Sequence, residues 1–317
     1  MPAPQLPLFP TDPDMPPDPQ LDEVRSAILA ADPRGEKFGG ALRRTFDMLL
    51  DGQHTGRFRW EQLHKTEKTH AGTLVEINLQ RAFNFADGKK MDYSIEGADV
   101  DCKYSQELGK WMIPPEAMGH LCLGAWASDK AGLWSSGLFR VTEEVLTKKG
   151  GNRDGKRSLT AAARETAVHW LFRNEPLQDN ILLRLSQGDI DAIFASRYGT
   201  QRLHELFRRT LGRVVSRSVV ATVAQQDDYM KRVRYNGGSR SVLRPEGVVI
   251  LGQYGNHQAV ARALGLPVPG AGESVSVRLA PWTPDHADAP WTELEGDKWV
   301  VARDGDPVVE APLLPER

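Results

Sequence analysis

One stretch limits what this chain can become more than any other: Met91–Tyr104, MDYSIEGADVDCKY. It reads as a β-hairpin, with Glu96-Gly97 as the turn between two short extended runs. Side chains alternate faces along a strand. Val100, Cys102 and Tyr104 then point one way, and Asp99, Asp101 and Lys103 the other. Asp-x-Lys spacing therefore sets a carboxylate beside an ammonium, while Cys102 is expected to pack in the core. Asp92 lies nine residues before Asp101, on the preceding strand, and the turn can bring it back towards Asp101. Two carboxylates about 4 Å apart repel by roughly 4 kcal/mol at an effective dielectric of 20. Such a cluster persists beside a cation, and oxygen-only donors suit Mg²⁺, with Mn²⁺ as a substitute. A metal held there polarises a phosphate and lowers the pKa of bound water. Lys103 can orient that water or stabilise charge on a pentavalent phosphorus. The arithmetic is that of phosphodiester cleavage, although Asp-x-Lys by itself is a weak signal.

The remaining composition sets the frame. At 317 residues, 40% hydrophobic and 26% charged, the chain is expected to form two domains with real cores. It has no apolar run of about 18 residues, so no transmembrane helix is expected. No basic-then-apolar secretory signal opens it. Cys102 and Cys122 are its two cysteines, too few for a disulfide framework or a structural zinc site. A reducing cytoplasm is the expected location.

The net charge of -2 hides an asymmetry. Six arginines and one acid, Glu205, fall between Arg197 and Arg217, and five basic residues with no acid fall between Lys231 and Arg244. Such clusters attract phosphate locally, or they are solvated helix faces.

Along the chain, eight prolines in residues 1–20 predict a disordered tail. Leu21, Val24 and Ile28 fall at helical spacing, as do Leu42, Phe46 and Leu49 or Leu50. Asp51–Arg57 reads as a polar turn; LLDGQH has Leu49 where a ligase would need its nucleophilic lysine, so no ligase chemistry follows. His64–Thr69 is a polar loop that either touches phosphate through Lys65, Thr66 and Lys68 or is simply solvated. Residues 72–83 predict a helix with Leu74, Ile77 and Phe83 on one side. Within it, Glu76 either projects to solvent or meets a cation, because an isolated buried charge is costly; its nearness to the hairpin favours the second. Leu121–Ala127 predicts a central buried strand and Leu133–Val141 another. A helical region follows, with Ser158 or Thr160 as its cap.

The resulting division is a tail at 1–20, a mixed-sheet α/β (α+β) domain at 21–170, a connector at 171–178 and a second domain at 179–317. In the second domain, short and basic helices over 189–195, 201–217 and 227–234, with Leu203, Leu206, Phe207 and Leu211 inward, are followed by a glycine loop and a strand at 248–251. Ser218–Gln226 is either strand or helix. This order suggests a helix-turn-helix with β appendages. Arg208, Arg209, Lys231, Arg232, Arg234, Arg240 and Arg244 are its candidate DNA contacts. SVSVRL, KWVVA and PVVEAP predict late strands.

These residues also carry a resemblance. Glu76, Asp92, Asp101 and Lys103 fit the active-site pattern of the PD-(D/E)xK nuclease superfamily, with Met91 rather than proline before Asp92. LDGQ, QLHKTEKTH, GTLVEINL, VDCK, HLC, HELFRR, ATVAQQDDYMKRVR, RPEGVVILG and DPVVEAP, in that order, resemble the NaeI-type (type IIE) restriction endonucleases. The resemblance implies an N-terminal endonuclease domain and a C-terminal DNA-binding domain of the catabolite-activator helix-turn-helix type. It implies a homodimer that holds two copies of duplex DNA, one cut and one acting as effector. Cleavage of both strands at a GC-rich palindrome such as GCCGGC with Mg²⁺ is the implied activity, and a host DNA methyltransferase the implied functional partner. Glu76, Asp92 and Asp101 are the implied metal ligands and Lys103 the fourth catalytic residue, while Lys65 and Thr66 lie where the family places residues near the DNA. A non-catalytic helix-turn-helix regulator and a structure-specific repair nuclease are the competing expectations.

Overall fold

The computed structural model describes residues 17–148, 154–234 and 237–315. The expected tail at 1–16 lies outside the described residues. Pro19 and Gln20, assigned to that tail, instead open helix α1 (Pro19–Ala31), because Asp18 caps it by accepting the Leu21 N–H. Proline at the first helical turn loses no bond, since that N–H is unpaired in any helix. Leu21, Val24 and Ile28 form the buried stripe of α1, as their spacing predicts.

Helix α2 (Glu36–Leu50) buries Phe38, Ala41, Leu42, Phe46, Leu49 and Leu50. A single turn, α3 (Gly52–Thr55), follows between left-handed Asp51 and Gly56. Helix α4 then runs from Lys65 to Phe83, so the polar run at 64–69 is helical, not a loop. The Glu67 carboxylate accepts the His64 N–H at 2.7 Å and starts the helix there. This longer helix buries Ala71, Val75, Asn78 and Leu79, an i, i+4, i+7, i+8 stripe, rather than Leu74, Ile77 and Phe83. Buried Asn78 is satisfied by donating to Thr45 Oγ1 on α2.

Six strands follow: β1 (Ala86–Asp87), β2 (Tyr93–Ile95), β3 (Ala98–Ser105), β4 (Leu121–Ser128), β5 (Leu133–Arg140) and β6 (His169–Pro176), with helix α5 (Ala161–Thr166) before the last. Thr160 caps α5. The strands form one mixed sheet in sequence order, antiparallel except for the parallel pair β3–β4. β4 is the central buried strand that its apolar run predicts. The stretch 171–178 is not a connector: most of it is β6, with Trp170, Leu171 and Phe172 buried against β5.

The chain divides into two compact units. One comprises the chain up to Leu49 together with Leu63–Asp179; the other comprises Leu50–Gln62 and everything from Asn180. Residues 50–62 therefore leave the first unit and join the second, which a linear reading of the chain does not anticipate. The reason is steric and apolar. Phe58 lies in the second unit's core and stacks on Phe194 at 5.9 Å. Gly52 lies so close to Thr222 that a Cβ there would meet Oγ1 at 2.0 Å.

The second unit continues with α6 (Gln187–Phe194), α7 (Gly199–Arg209), β7 (Val214–Ser216), α8 (Arg217–Ala224), α9 (Ser239–Leu243), β8 (Val248–Gly252), α10 (Gly255–Ala263), β9 (Glu273–Pro281), β10 (Trp291–Leu294) and β11 (Asp297–Val301). β9 pairs antiparallel with β7, β8 and β11, and β10 joins through β11. Leu203, Leu206 and Phe207 of α7 are buried as predicted, but Leu211 lies past the helix end and is exposed. The segment 217–224 resolves as helix.

Residues 227–234 are not an α-helix. Gln225 turns left-handed at the end of α8, and Tyr229, Lys231, Arg232 and Arg234 close only three-residue turns. Pro307–Pro312 is not a strand either; the Ala311 N–H donates to the Arg244 carbonyl. Among the described residues no helix is long and apolar enough to cross a membrane.

Candidate active site

The hairpin forms as its sequence predicts. Tyr93 pairs with Val100, Ser94 with Asp99 and Ile95 with Ala98. Glu96 and Gly97 both take positive φ, 48° and 77°, the backbone that a two-residue hairpin turn needs for its twist. Asp92 immediately precedes β2, and one carboxylate oxygen, Oδ2, accepts the Cys102 N–H at 2.7 Å. This bond across the hairpin fixes Asp92 against β3.

On β3 the Lys103 ammonium donates to Asp101 Oδ1 at 2.6 Å and to the Cys102 carbonyl at 2.9 Å, and lies 3.7 Å from Asp92 Oδ2. In the parallel neighbour β4, Asp101 is level with Cys122, and Lys103 with Gly124. A Cβ on Gly124 would meet the Trp111 ring at 2.6 Å, so this glycine is what admits the indole. Trp111 and Cys122 belong to one buried cluster. Asp101 is thus pressed against apolar structure, with Cys122 Sγ 3.9 Å from its Oδ2.

The electrostatics follow from that burial. Desolvation lifts Asp101 to about 6; Lys103 pulls it down and Asp92 pushes it up. Burial also raises Glu76 on α4, and the charge of Asp92 adds to the rise while that of Lys103 opposes it. Burial works against the Lys103 ammonium, but the charge and hydrogen bond of Asp101 outweigh it and hold the lysine above its ordinary value. Lys103 is therefore a cation here. Burial pushes the Cys102 thiol up to about 12 and the Cys122 thiol well up as well, so neither is a nucleophile.

Structure and sequence thus agree in bringing Asp92, Asp101 and Lys103 together, and the charges of all three reach Glu76. Among the described residues, no three His, Cys, Asp or Glu side chains are gathered closely enough to hold a metal ion together. Mg²⁺ takes one or two carboxylates and fills its shell with water and phosphate oxygens. The donors fit such an ion. Asp92 has one oxygen committed to a protein donor, the Cys102 N–H, while Asp101 accepts Lys103 at Oδ1 and only the weak thiol donor of Cys122 at Oδ2. Burial is the main cause of the raised Asp101 and Glu76, and the charge of Asp92 adds to both.

Tyr93 was not among the candidates. Its hydroxyl donates to the Glu76 backbone carbonyl at 2.7 Å, joining α4 to the hairpin. The alternation of the strand places Tyr93 on the Val100 face, but nothing in the sequence identifies its acceptor.

The candidate DNA contacts separate into two groups. Lys65, Thr66 and Lys68 lie in the first turn or so of α4, where the helix dipole also favours an anion. Lys231 and Arg234 are exposed. Arg208 is held by Glu205 and Glu246, Arg209 by Asp189 and Glu205, and Arg232 by Asp228. Arg244 pairs with Glu310 and donates to the Ala311 carbonyl, and Arg240 donates to the Ile250 carbonyl. Five of the seven second-unit candidates therefore have internal partners.

Fold and site together define a mixed α/β protein whose hairpin carries a carboxylate–lysine centre, faced by a carboxylate from a long helix. The family model described as "Restriction endonuclease NaeI" matches residues 22–310, and the chain belongs to that family of restriction endonucleases. It is 50% identical over 309 residues to the type II restriction enzyme NaeI of Lentzea aerocolonigenes, across 95% of this chain and 96% of that one.

Proposed function

We propose that this chain is a Mg²⁺-dependent, site-specific deoxyribonuclease of the type IIE class. It cuts both strands of duplex DNA at a GC-rich palindrome such as GCCGGC, and a second DNA copy bound elsewhere activates it. The observation that carries this reading is the cluster of Asp92, Asp101 and Lys103 on one hairpin, with Glu76 within electrostatic reach. Family membership supports DNA as the substrate.

In this reading Asp92 and Asp101 hold the metal, Glu76 closes on it as a third ligand only once the ion is bound, and the centre is of the PD-(D/E)xK kind. When bound, Mg²⁺ supplies Lewis-acid polarisation of the scissile phosphate and a lowered pKa for its water. The protein does the rest. The Cys102 N–H keeps Asp92 aimed, and Asp101 holds the Lys103 ammonium in place. A fixed ammonium stabilises the charge that develops on the phosphoryl oxygens and orients the attacking water. Held as a cation by Asp101, Lys103 acts here through its charge and its hydrogen bonds.

The second unit is proposed as the effector site, a helix-turn-helix domain of the catabolite-activator type. Its support is the order α7–β7–α8–α9–β8–β9, with β7 and β8 flanking β9. Lys65, Thr66 and Lys68 would contact the cut DNA, and Lys231 and Arg234 the second copy. The active form is a homodimer, and a methyltransferase would protect the host's own sites.

The test is to incubate supercoiled plasmids of known sequence with the purified protein and Mg²⁺, then sequence the fragment ends. Ends at a single palindrome are expected. Binding without cleavage would overturn the catalytic reading, and cutting only at branches or mismatches would replace it with a structure-specific nuclease.

A further inference from the structure

Tyr93 directly follows Asp92 and is fully buried. Its ring lies 5.2 Å from that of Phe85, and its hydroxyl reaches the Glu76 carbonyl at 2.7 Å. That carbonyl sits mid-helix in α4 (Lys65–Phe83), where it accepts the N–H four residues on. The hydroxyl occupies its second lone pair. Phenylalanine at this position would leave no helix carbonyl orphaned and would keep the buried ring. The helix's own hydrogen bonds therefore do not require the hydroxyl, whose other neighbour is the buried thiol of Cys102.

What the bond does fix is a distance. It joins the backbone at Glu76 to the residue beside Asp92, whose own carboxylate is held by the Cys102 N–H. The antiparallel register, Tyr93 with Val100, carries that constraint on to Asp101 and Lys103. The backbones that bear all four candidate catalytic side chains are thereby tied together by two hydrogen bonds, one from Tyr93 and one from Cys102.

We infer that Tyr93 is a positioning residue for DNA cleavage: its hydroxyl clamps the helix turn bearing Glu76 to the hairpin bearing Asp92, Asp101 and Lys103. The inference rests on the proposed role of those four residues. It implies that losing the hydroxyl loosens the geometry of the reaction without loosening the grip on DNA.

The test uses the full-length protein and the conservative variant Tyr93→Phe. A small misplacement at a reacting centre costs large factors in rate, so the single-turnover rate is expected to fall about tenfold. The KM for DNA should not change. Mn²⁺ binding, followed through the paramagnetic resonance of the free ion, should weaken several-fold. The same substitution is then made in a Glu76→Gln background. Residues that act through one another are non-additive, so Tyr93→Phe should add no further loss there.

An unchanged rate and unchanged Mn²⁺ binding in Tyr93→Phe would overturn the inference. So would an equal loss in both backgrounds, since the tyrosine would then act independently of Glu76. Phe85→Leu loosens the same ring packing but keeps the hydroxyl; if it reproduces the Tyr93→Phe defect, packing is responsible and the clamp is refuted. Full activity in Glu76→Gln alone would overturn the proposed site itself, a result distinct from every failure of the clamp.

Discussion

Lys103 and Asp101, two residues apart on one face of β3, are joined by a 2.6 Å ion pair in which the acid is nearly buried and the lysine half-buried. The pair is lopsided. Burial lifts Asp101 despite its partner, while Asp101 holds Lys103 charged despite its burial. The lysine is stabilised as a cation by the same carboxylate that is proposed to bind the metal.

Lys103→Ala is expected to lower cleavage by about 10²–10³-fold or more, the scale seen when a preorganised charge-stabilising donor is removed. Specific DNA binding should be retained, as gel-shift and cleavage assays on one preparation can check. Joint loss of binding and folding would contradict a catalytic role.

The pH response follows from Asp101. Its folded value, about 6, lies above the ordinary 3.8. The folded state therefore binds this proton more tightly than the unfolded state does, so the group favours folding at low pH and loses that contribution as pH rises through about 6. Cleavage has the opposite sign, because only the carboxylate can hold a cation and the ammonium. At sub-saturating Mg²⁺ the rate should fall below about pH 6, and saturating Mg²⁺ should move that fall to lower pH. A pH–rate profile identical at both Mg²⁺ levels would count against Asp101 as a ligand.

Gly52→Ala should destabilise the second unit by about 1–3 kcal/mol, the usual cost of overpacking, because its Cβ would meet Thr222 Oγ1 at 2.0 Å. Adding Thr222→Ala should restore part of that loss but not all, since the Arg57 carbonyl still lies 3.0 Å from the new methyl. Thermal melts of the single and double variants decide it. The same packing predicts that a fragment ending at Asp179 leaves Phe58 without its apolar partners and aggregates.

Arg43 of α2 is buried and held by Asp129 and Asp47. Asp129→Ala would leave a buried guanidinium with one remaining carboxylate. Breaking such a pair costs about 3–5 kcal/mol, and the surviving Asp47 places the expected loss near the lower end. Denaturant unfolding measures it; a loss below about 1 kcal/mol would show that the pair is solvated like a surface bridge.

For DNA binding, Lys231→Ala and Arg234→Ala should each reduce the slope of log affinity against log salt by about 0.9, the value for one phosphate contact on duplex DNA. Arg208→Ala should alter stability more than that slope, because Arg208 is already occupied by Glu205 and Glu246. Equal changes in slope for all three would show that the arginine leaves its internal partners when DNA binds.

Some of this was legible in the sequence for clear reasons. Strand alternation needs only neighbouring residues, so the pairing of Asp101 with Lys103 and the Glu96-Gly97 turn could be read directly. Helical spacing did the same for α1. The start of α4 was missed because Lys65–Thr69 has no apolar stripe, and its cap is a glutamate reaching back to the His64 N–H. The helix expected at 227–234 failed because Gln225 takes a left-handed turn that charge patterning does not reveal.

The sequence by itself determined the hairpin, its carboxylates and lysine, and the family, because these rest on local periodicity and on motifs contiguous in the chain. Only the tertiary structure decided that residues 50–62 belong with the second unit, that most of the second unit's candidate arginines are occupied internally, and that Tyr93 ties Glu76 to the hairpin. Each of these depends on partners far apart in the chain, where packing and charge neutralisation, rather than local pattern, choose the contact.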